Sequence, residues 1–269
     1  MHINRSRVAC VTNSEEIFML ANTIRINDID LYYEIHGKGT PLLLLHGFTG
    51  SGVALVELFQ DMTEEYQLII PDIRGHGRST NPSKVFTHRQ AALDIEALLS
   101  YLNIKKCSAV GFSGGGNILL HMAVRQNPVL ENILIVSATP YFPNQAREIM
   151  RQFIVEGRSK EEWDAMRKIH FHGDDQIKML WQQANAMGIS EDDMNLTSDD
   201  LNKIKIKTHI VQGDRDPLYP LEVSIEMYKN IPGAALWIIP NGGHVPITPF
   251  WVPTFKSYIK EITRSARED

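Results

Sequence analysis

Ser108-Ala109-Val110-Gly111-Phe112-Ser113-Gly114-Gly115-Gly116 runs into an amphipathic stretch from Ile118 to Val124. The order reads as buried strand, sharp turn, helix, with Ser113 flanked two residues either side by Gly111 and Gly115. This is G-x-S-x-G in the context that gives the pattern chemical meaning: the turn lifts the serine hydroxyl above the end of a sheet. The turn also crowds the backbone, so the flanking positions need residues without a Cβ. The serine itself is expected at strained backbone angles.

Outward from this turn, short apolar runs alternate with helical stretches. Leu42-Leu43-Leu44-Leu45 is fully apolar, as a parallel strand buried on both faces requires. Leu68 to Pro71, Asn132 to Val136, Thr208 to Gln212 and Ala235 to Ile239 read as further strands. Thr23 to Ile26 and Ile29 to Ile35 flank Asn27-Asp28, which is turn chemistry. Helices are expected over 54–62, over 88–103, after Ser113 until Pro128 stops that helix, and over 219–230. The helix over 88–103 carries Ala92, Ile95, Leu98, Leu99 and Leu102 as one apolar stripe. A last helix puts Trp251, Phe255, Tyr258, Ile259 and Ile262 on one face. Repeated strand–helix order argues an α/β fold: a mostly parallel sheet with helices on both faces.

The rhythm breaks at Pro140. Residues 141–204 show no strand but hold helical segments near 144–156, 160–170 and 174–187, then the acidic Glu191-Asp192-Asp193. The stretch is too long and too apolar for a loop, so it is expected to be an inserted helical cap. The core is then 23–140 with 205–269. Residues 1–22 read as an N-terminal arm, with Met19 as an alternative start.

The 269 residues suit one such domain, and 43% hydrophobic with 22% charged residues is ordinary for a globular protein. A net charge of −5 without a dense basic cluster points away from nucleic acid. No apolar run approaches the roughly 20 residues of a membrane helix, and Ile17 to Ala21 is shorter than the secretory core of about 7–15 residues. Cys10 and Cys107 lie far apart and show no metal spacing. Free thiols, no signal peptide and a cytoplasmic location are expected.

In an open parallel sheet, sites form beyond the carboxyl ends of the strands. Five such ends carry unusual residues: His46-Gly47-Phe48, Asp72-Ile73-Arg74, Ser113, Asp214-Arg215-Asp216 and His244. A serine nucleophile needs a base to take its proton and a carboxylate to orient that base. Serine, then aspartate, then histidine is the chain order that accompanies G-x-S-x-G on this scaffold. Asp214 and Asp216 are both candidates for the acid. Gly114, following the serine at a helix start, can offer its N–H to a developing oxyanion.

The chain resembles the α/β-hydrolase fold family over about residues 23–265, close to its small serine esterases, enol-lactone hydrolases, carbon–carbon bond hydrolases and cofactor-free haloperoxidases. The motifs carrying the likeness are His46-Gly47, Asp72 to Ser79, Gly111 to Gly115, Gly213 to Asp216 and Gly243-His244. The resemblance implies an eight-stranded, mostly parallel sheet with a cap. It also implies Ser113, Asp216 and His244 as catalytic triad, with the N–H groups of Phe48 and Gly114 as oxyanion hole. Asp216 is favoured because the family's acid is the second carboxylate of Gly-Asp-x-Asp; Asp214 is then expected to bond local backbone. Epoxide hydrolases and haloalkane dehalogenases of the same family use aspartate where this chain has Ser113.

His46 is expected to shape the loop beneath the oxyanion hole, and Arg74, His76 and Arg78 to form a structural turn. His170-Phe171-His172-Gly173-Asp174-Asp175 lacks a nearby third histidine and reads as a polar junction in the cap rather than a metal site. Phe48, Phe112, Tyr141, Phe142, Trp181 and Val245 are candidate pocket walls. No cofactor is expected, and the partner is a small molecule.

The first functional reading is hydrolysis of a carboxylic ester or lactone of a small, largely apolar molecule through an acyl-enzyme. Activity should then fall as His244 gains a proton on acidification. A carbon–carbon bond hydrolase would use the same residues but needs polar cap groups to hold a dienoate; Arg147, Arg151, Arg167 and Lys178 are the candidates. A perhydrolase or haloperoxidase-like activity fits Gly111-Phe112-Ser113, but that subgroup usually carries methionine where this chain has Gly114. A small-molecule receptor retaining the triad is the remaining alternative.

Overall fold

The computed structural model describes residues 19–264. Cys10 and the remainder of the expected N-terminal arm, 1–18, lie outside them. Among the described residues eight strands form one sheet: β1 (Met19–Ile26), β2 (Ile29–His36), β3 (Thr40–Leu45), β4 (Tyr66–Pro71), β5 (Cys107–Phe112), β6 (Leu130–Val136), β7 (Lys207–Gly213) and β8 (Ala235–Ile239). Their spatial order is β1-β2-β4-β3-β5-β6-β7-β8. The β1/β2 and β2/β4 pairs are antiparallel, and every pair from β4/β3 to β7/β8 is parallel.

The first strand starts four residues earlier than its sequence suggests. Asn27, at φ 51°, and Asp28 form a two-residue hairpin loop between Ile26 and Ile29. Once that turn sets the register, the ladder continues to Met19 opposite His36. Residues 19–22 thus belong to the sheet, because edge pairing uses backbone groups that any residue supplies.

Period-two alternation distributes the core over two layers. Leu43 and Leu45 of β3 face the layer of α2 (His88–Tyr101) and α3 (Gly114–Val124), with Ala92, Ile95, Leu98 and Leu99 of the expected stripe buried there. Leu42 and Leu44 face α1 (Gly52–Phe59) and α9 (Val252–Arg264), where Phe59, Phe255, Ile259 and Ile262 close the other side. Each fully buried leucine contributes about 1.5–3 kcal/mol of transfer free energy. The α3 helix ends before Pro128: Gln126 adopts φ 53°, a left-handed stop two residues earlier.

Between β6 and β7 lie α4 (Asn144–Met150), α5 (Lys160–Ile169), α6 (Asp174–Met187) and α7 (Ser198–Leu201); α8 (Leu221–Asn230) follows β7. The single helix expected over 144–156 is broken. Phe153 and Val155 both pack against the small core of Met166, Ile177, Leu180 and Trp181. Residues two apart cannot share a helix face, so Ile154 extends (φ −102°, ψ 140°) and a one-turn 3₁₀ segment follows at Val155–Gly157. Helix α7 has no counterpart among the helical segments expected within 141–204. Its signal is a capping box: the Thr197 hydroxyl accepts from the Asp200 N–H, and the Asp200 carboxylate accepts from the Thr197 N–H at 3.0 Å. Among the described residues no helix is long and apolar enough to cross a membrane.

Candidate active site

The turn between β5 and α3 is shaped by contacts that admit no side chain. A Cβ on Gly111 would lie 2.6 Å from the Gly115 carbonyl, and one on Gly115 would lie 2.4 Å from the Leu45 carbonyl oxygen. Ser113 sits at φ 50°, ψ −116°, the strained geometry that the glycine pattern implies. Its hydroxyl, half-buried at the start of α3, donates to His244 Nε2 at 2.8 Å. His244 Nδ1–H donates to Asp216 Oδ2 at 2.9 Å. These three residues come from the ends of β5, β7 and β8, distant in sequence and adjacent in space.

Asp216 is locked from several directions. Leu218 N–H and Tyr219 N–H donate to Oδ1 at 2.8 and 3.1 Å, and Gln212 Nε2 donates to Oδ2 at 2.9 Å. Burial alone would raise this carboxyl; the hydrogen bonds and the His244 charge outweigh burial and hold it below the usual carboxylate range. Asp214 does not reach His244. The expectation that it bonds local backbone fails for Oδ1, which has no hydrogen-bond partner among the described residues. Its main-chain N–H donates to the Ile239 carbonyl instead.

Opposite the serine, Phe48 N lies 3.0 Å from the point where a Cβ on Gly114 would sit. The N–H groups of Phe48 and Gly114 are therefore neighbours at the positive end of α3. The loop carrying Phe48 is braced by three buried histidines. His46 Nδ1–H donates to Gly47 O and its Nε2 accepts from Ile73 N–H. His76 Nε2 accepts from Thr49 N–H, and its Nδ1–H donates to Arg74 O. His170, from the end of α5, accepts from Gly77 N–H and donates to Thr49 O. Burial pushes His170 down to about 4 and His76 well below its ordinary value, so both rings hold one tautomer and no charge near neutrality. Arg74 pairs with Asp94 and Asp28, away from Ser113. His170, His172 and Gln176 all bond carbonyls or N–H groups of the 49–78 loops, which fastens the helical insertion to the core.

The six candidate wall residues separate. Phe48 stacks edge-on against His76 and Phe86, and Phe142 is buried beside His88. Trp181 belongs to the insertion's own small core, against which Phe48 also packs. Tyr141 is half-buried and its hydroxyl donates to Glu226 at 2.7 Å. Val245 is exposed beside His244. Phe112 turns away: its ring packs against Phe59 and Phe255 under α1 and α9, because the odd and even residues of β5 face opposite layers.

Residues that the strand-end pattern did not single out also converge here. Tyr219, fully buried, sets its ring edge-on to His244 at 5.3 Å, and its hydroxyl lies against the Ser113 and Asn117 side chains. Gln212 joins Asp216 to the Tyr219 carbonyl. His88, the first residue of α2, pairs with Asp193 at 2.6 Å. No motif spacing announces these residues; their adjacency is created by packing.

Residues 40–161 match the model of the alpha/beta hydrolase fold family. The chain is 28% identical over 244 residues to a putative non-heme chloroperoxidase of Synechocystis sp., covering 80% of this chain and 88% of that protein. Its structure is similar to an esterase from Exiguobacterium antarcticum (TM-score 0.73, 22% identity, 90% of this chain and 100% of that one). It is likewise similar to a 2-hydroxy-6-oxo-6-phenylhexa-2,4-dienoate hydrolase from Rhodococcus sp. (TM-score 0.75, 16% identity, 92% and 99%). With the strand order and the glycine-framed turn, these likenesses show that the chain has the α/β-hydrolase fold.

Proposed function

We propose that the protein is a serine hydrolase that cleaves a carboxylic ester or lactone of a small, largely apolar substrate. The carrying observation is the unbroken hydrogen-bond relay Ser113–His244–Asp216 beside the paired Phe48 and Gly114 N–H groups. Ser113 Oγ attacks the carbonyl carbon while His244 Nε2 takes its proton. The two N–H groups receive the oxyanion, His244 returns the proton to the leaving alkoxide, and an acyl-enzyme remains. Water, deprotonated by His244, then releases the acid. Asp216 keeps Nδ1 protonated, so that Nε2 presents its lone pair to the serine. The insertion acts as a cap, with Phe48 and Phe142 as apolar walls. The free, buried Cys107 thiol fits a reducing, cytoplasmic setting.

Two observations weigh against the carbon–carbon bond alternative. Arg147 and Arg151 bond carbonyls of the insertion itself, Ser190 and Gly188 among them. Arg167 and Lys178 are exposed and pair with Asp174 and Asp175. All four are engaged by other groups of the insertion.

The test is hydrolysis of nitrophenyl esters of increasing acyl length by wild type and Ser113→Ala, with fluorophosphonate labelling of Ser113 read by mass spectrometry. Expected are a short-acyl preference, labelling at Ser113, and a loss of about 10⁴-fold or more in the variant. A well-folded wild type with no labelling and no ester turnover would overturn the reading.

A further inference from the structure

A second histidine–aspartate pair stands next to the proposed oxyanion hole and takes no part in the relay just described. His88 opens α2, and Asp193 comes from the insertion between α6 and α7, 105 residues away in sequence. Asp193 Oδ2 accepts both the His88 main-chain N–H at 2.7 Å and His88 Nδ1–H at 2.6 Å, and Oδ1 accepts from Arg89 N–H at 3.2 Å. His121 Nε2 lies 3.8 Å from the same carboxylate. Burial alone would raise the Asp193 carboxyl; the His88 side-chain bond, attraction to the His88 ring and the His88 and Arg89 main-chain N–H groups prevail and bring it down to about 2, so it is an ionised acceptor for His88 Nδ1–H.

A neutral imidazole that donates from Nδ1 carries its lone pair on Nε2, and the location of that nitrogen is specific. His88 Nε2 is 3.5 Å from the point where a Cβ on Gly114 would sit, the same point that lies 3.0 Å from Phe48 N. The ring is 1% exposed and held edge-on by Phe86 and Phe142. No described protein group hydrogen-bonds Nε2. Glycine at 114, without a side chain, gives the space that lets the imidazole reach this place.

We propose that His88, oriented by Asp193, is a substrate-positioning residue whose Nε2 accepts a hydrogen bond from an O–H or N–H group on the carbon next to the scissile carbonyl. This deepens the ester-hydrolase reading and rests on it. A carbonyl held by Phe48 and Gly114 has its α-substituent three bonds from the oxyanion, and Nε2 faces the flank of Gly114 on which such a substituent can stand. A buried acceptor among aromatic rings discriminates strongly, because an analogue without the donor leaves it unpaired. The preferred acyl groups are therefore 2-hydroxy or 2-amido acids rather than plain alkanoates.

The experiment compares nitrophenyl 2-hydroxypropanoate, 2-methoxypropanoate and hemisuccinate on wild type, His88→Phe and Asp193→Asn. The methoxy ester keeps the oxygen and loses the donor; the hemisuccinate offers an anion instead. Expected is a wild-type kcat/KM at least about tenfold higher for hydroxy than for methoxy ester, a ratio falling to near one in His88→Phe and to an intermediate value in Asp193→Asn. A purely structural role would lower both esters equally and leave the ratio intact, which would overturn the proposal. So would a wild type that turns over both esters alike, or that prefers the hemisuccinate, even if neither variant folds. Fluorophosphonate labelling separates the two failures: a labelled Ser113 with no hydroxy preference refutes only the role of His88, whereas an unlabelled Ser113 refutes the ester-hydrolase reading beneath it.

Discussion

The molecule holds two histidine–aspartate pairs of nearly equal geometry, at 2.9 Å for His244–Asp216 and 2.6 Å for His88–Asp193. Both leave Nε2 as the working nitrogen. They differ in what that nitrogen meets and in how far water reaches. The His244 side chain is 21% exposed and meets the Ser113 hydroxyl; that of His88 is 1% exposed and meets the flank of Gly114. The first pair sits wholly on core strand ends, whereas the second is completed only when the insertion delivers its carboxylate. On the proposed reading, the same pairing chemistry serves proton transfer where a nucleophile is in reach, and recognition where only a substrate group can come.

Replacing each carboxylate by its amide is the sharpest way to break this comparison. Asp216→Asn should lower kcat by about 10⁴-fold, because the wrong His244 tautomer then faces the serine. Asp193→Asn should change acyl preference far more than total turnover. Equal losses at both positions, measured on the same ester series, would make the pairs functionally equivalent.

Acid stability separates the regions next. Burial pushes His121 and His170 down to about 4, while an unfolded imidazole titrates near 6.5. Between those values the unfolded chain binds more protons, so stability present above about pH 6.5 is lost as pH falls through about 4. Each group adds a slope of about 1.4 kcal/mol per pH unit in that window. Asp193 adds a further loss below about pH 4, as it protonates toward its folded value of about 2. In His170→Gln the amide can still accept from Gly77 N–H and donate to Thr49 O, so the slope should drop by one such contribution. Urea unfolding at pH 5 and pH 7 measures it; an unchanged slope would mean that His170 is not held neutral at the seam.

The smallest effect is expected at the point the two pairs share. An alanine methyl at Gly114 would lie 3.0 Å from Phe48 N and 3.5 Å from His88 Nε2. Gly114→Ala should cost about tenfold in kcat/KM, roughly 1.4 kcal/mol of barrier, and reduce the 2-hydroxy preference with it. Steady-state kinetics on the hydroxy and methoxy esters decides; loss of rate without loss of preference would place His88 outside the substrate's reach.

Much of the fold is legible because it rests on local periodicity. Leu42 to Leu45 and the Ala92–Leu99 stripe are each buried as their patterns require. The errors share one cause. The four extra residues of β1, the break at Ile154 and the outward turn of Phe112 are each decided by a partner elsewhere in the chain, not by the segment itself.

By itself the sequence determined the turn at Ser113, the parallel strand–helix order and a short set of chemically unusual strand ends. Sterics without a Cβ and hydrophobic periods of two and 3.6 are local properties, written in neighbouring residues. Only the tertiary structure decided that Asp216 rather than Asp214 meets His244, that Tyr219 closes behind both, and that Asp193 crosses 105 residues to orient His88. Those pairings depend on where packing sets whole elements down, because a hydrogen bond is made or lost over about an ångström, and no spacing along the chain encodes that distance.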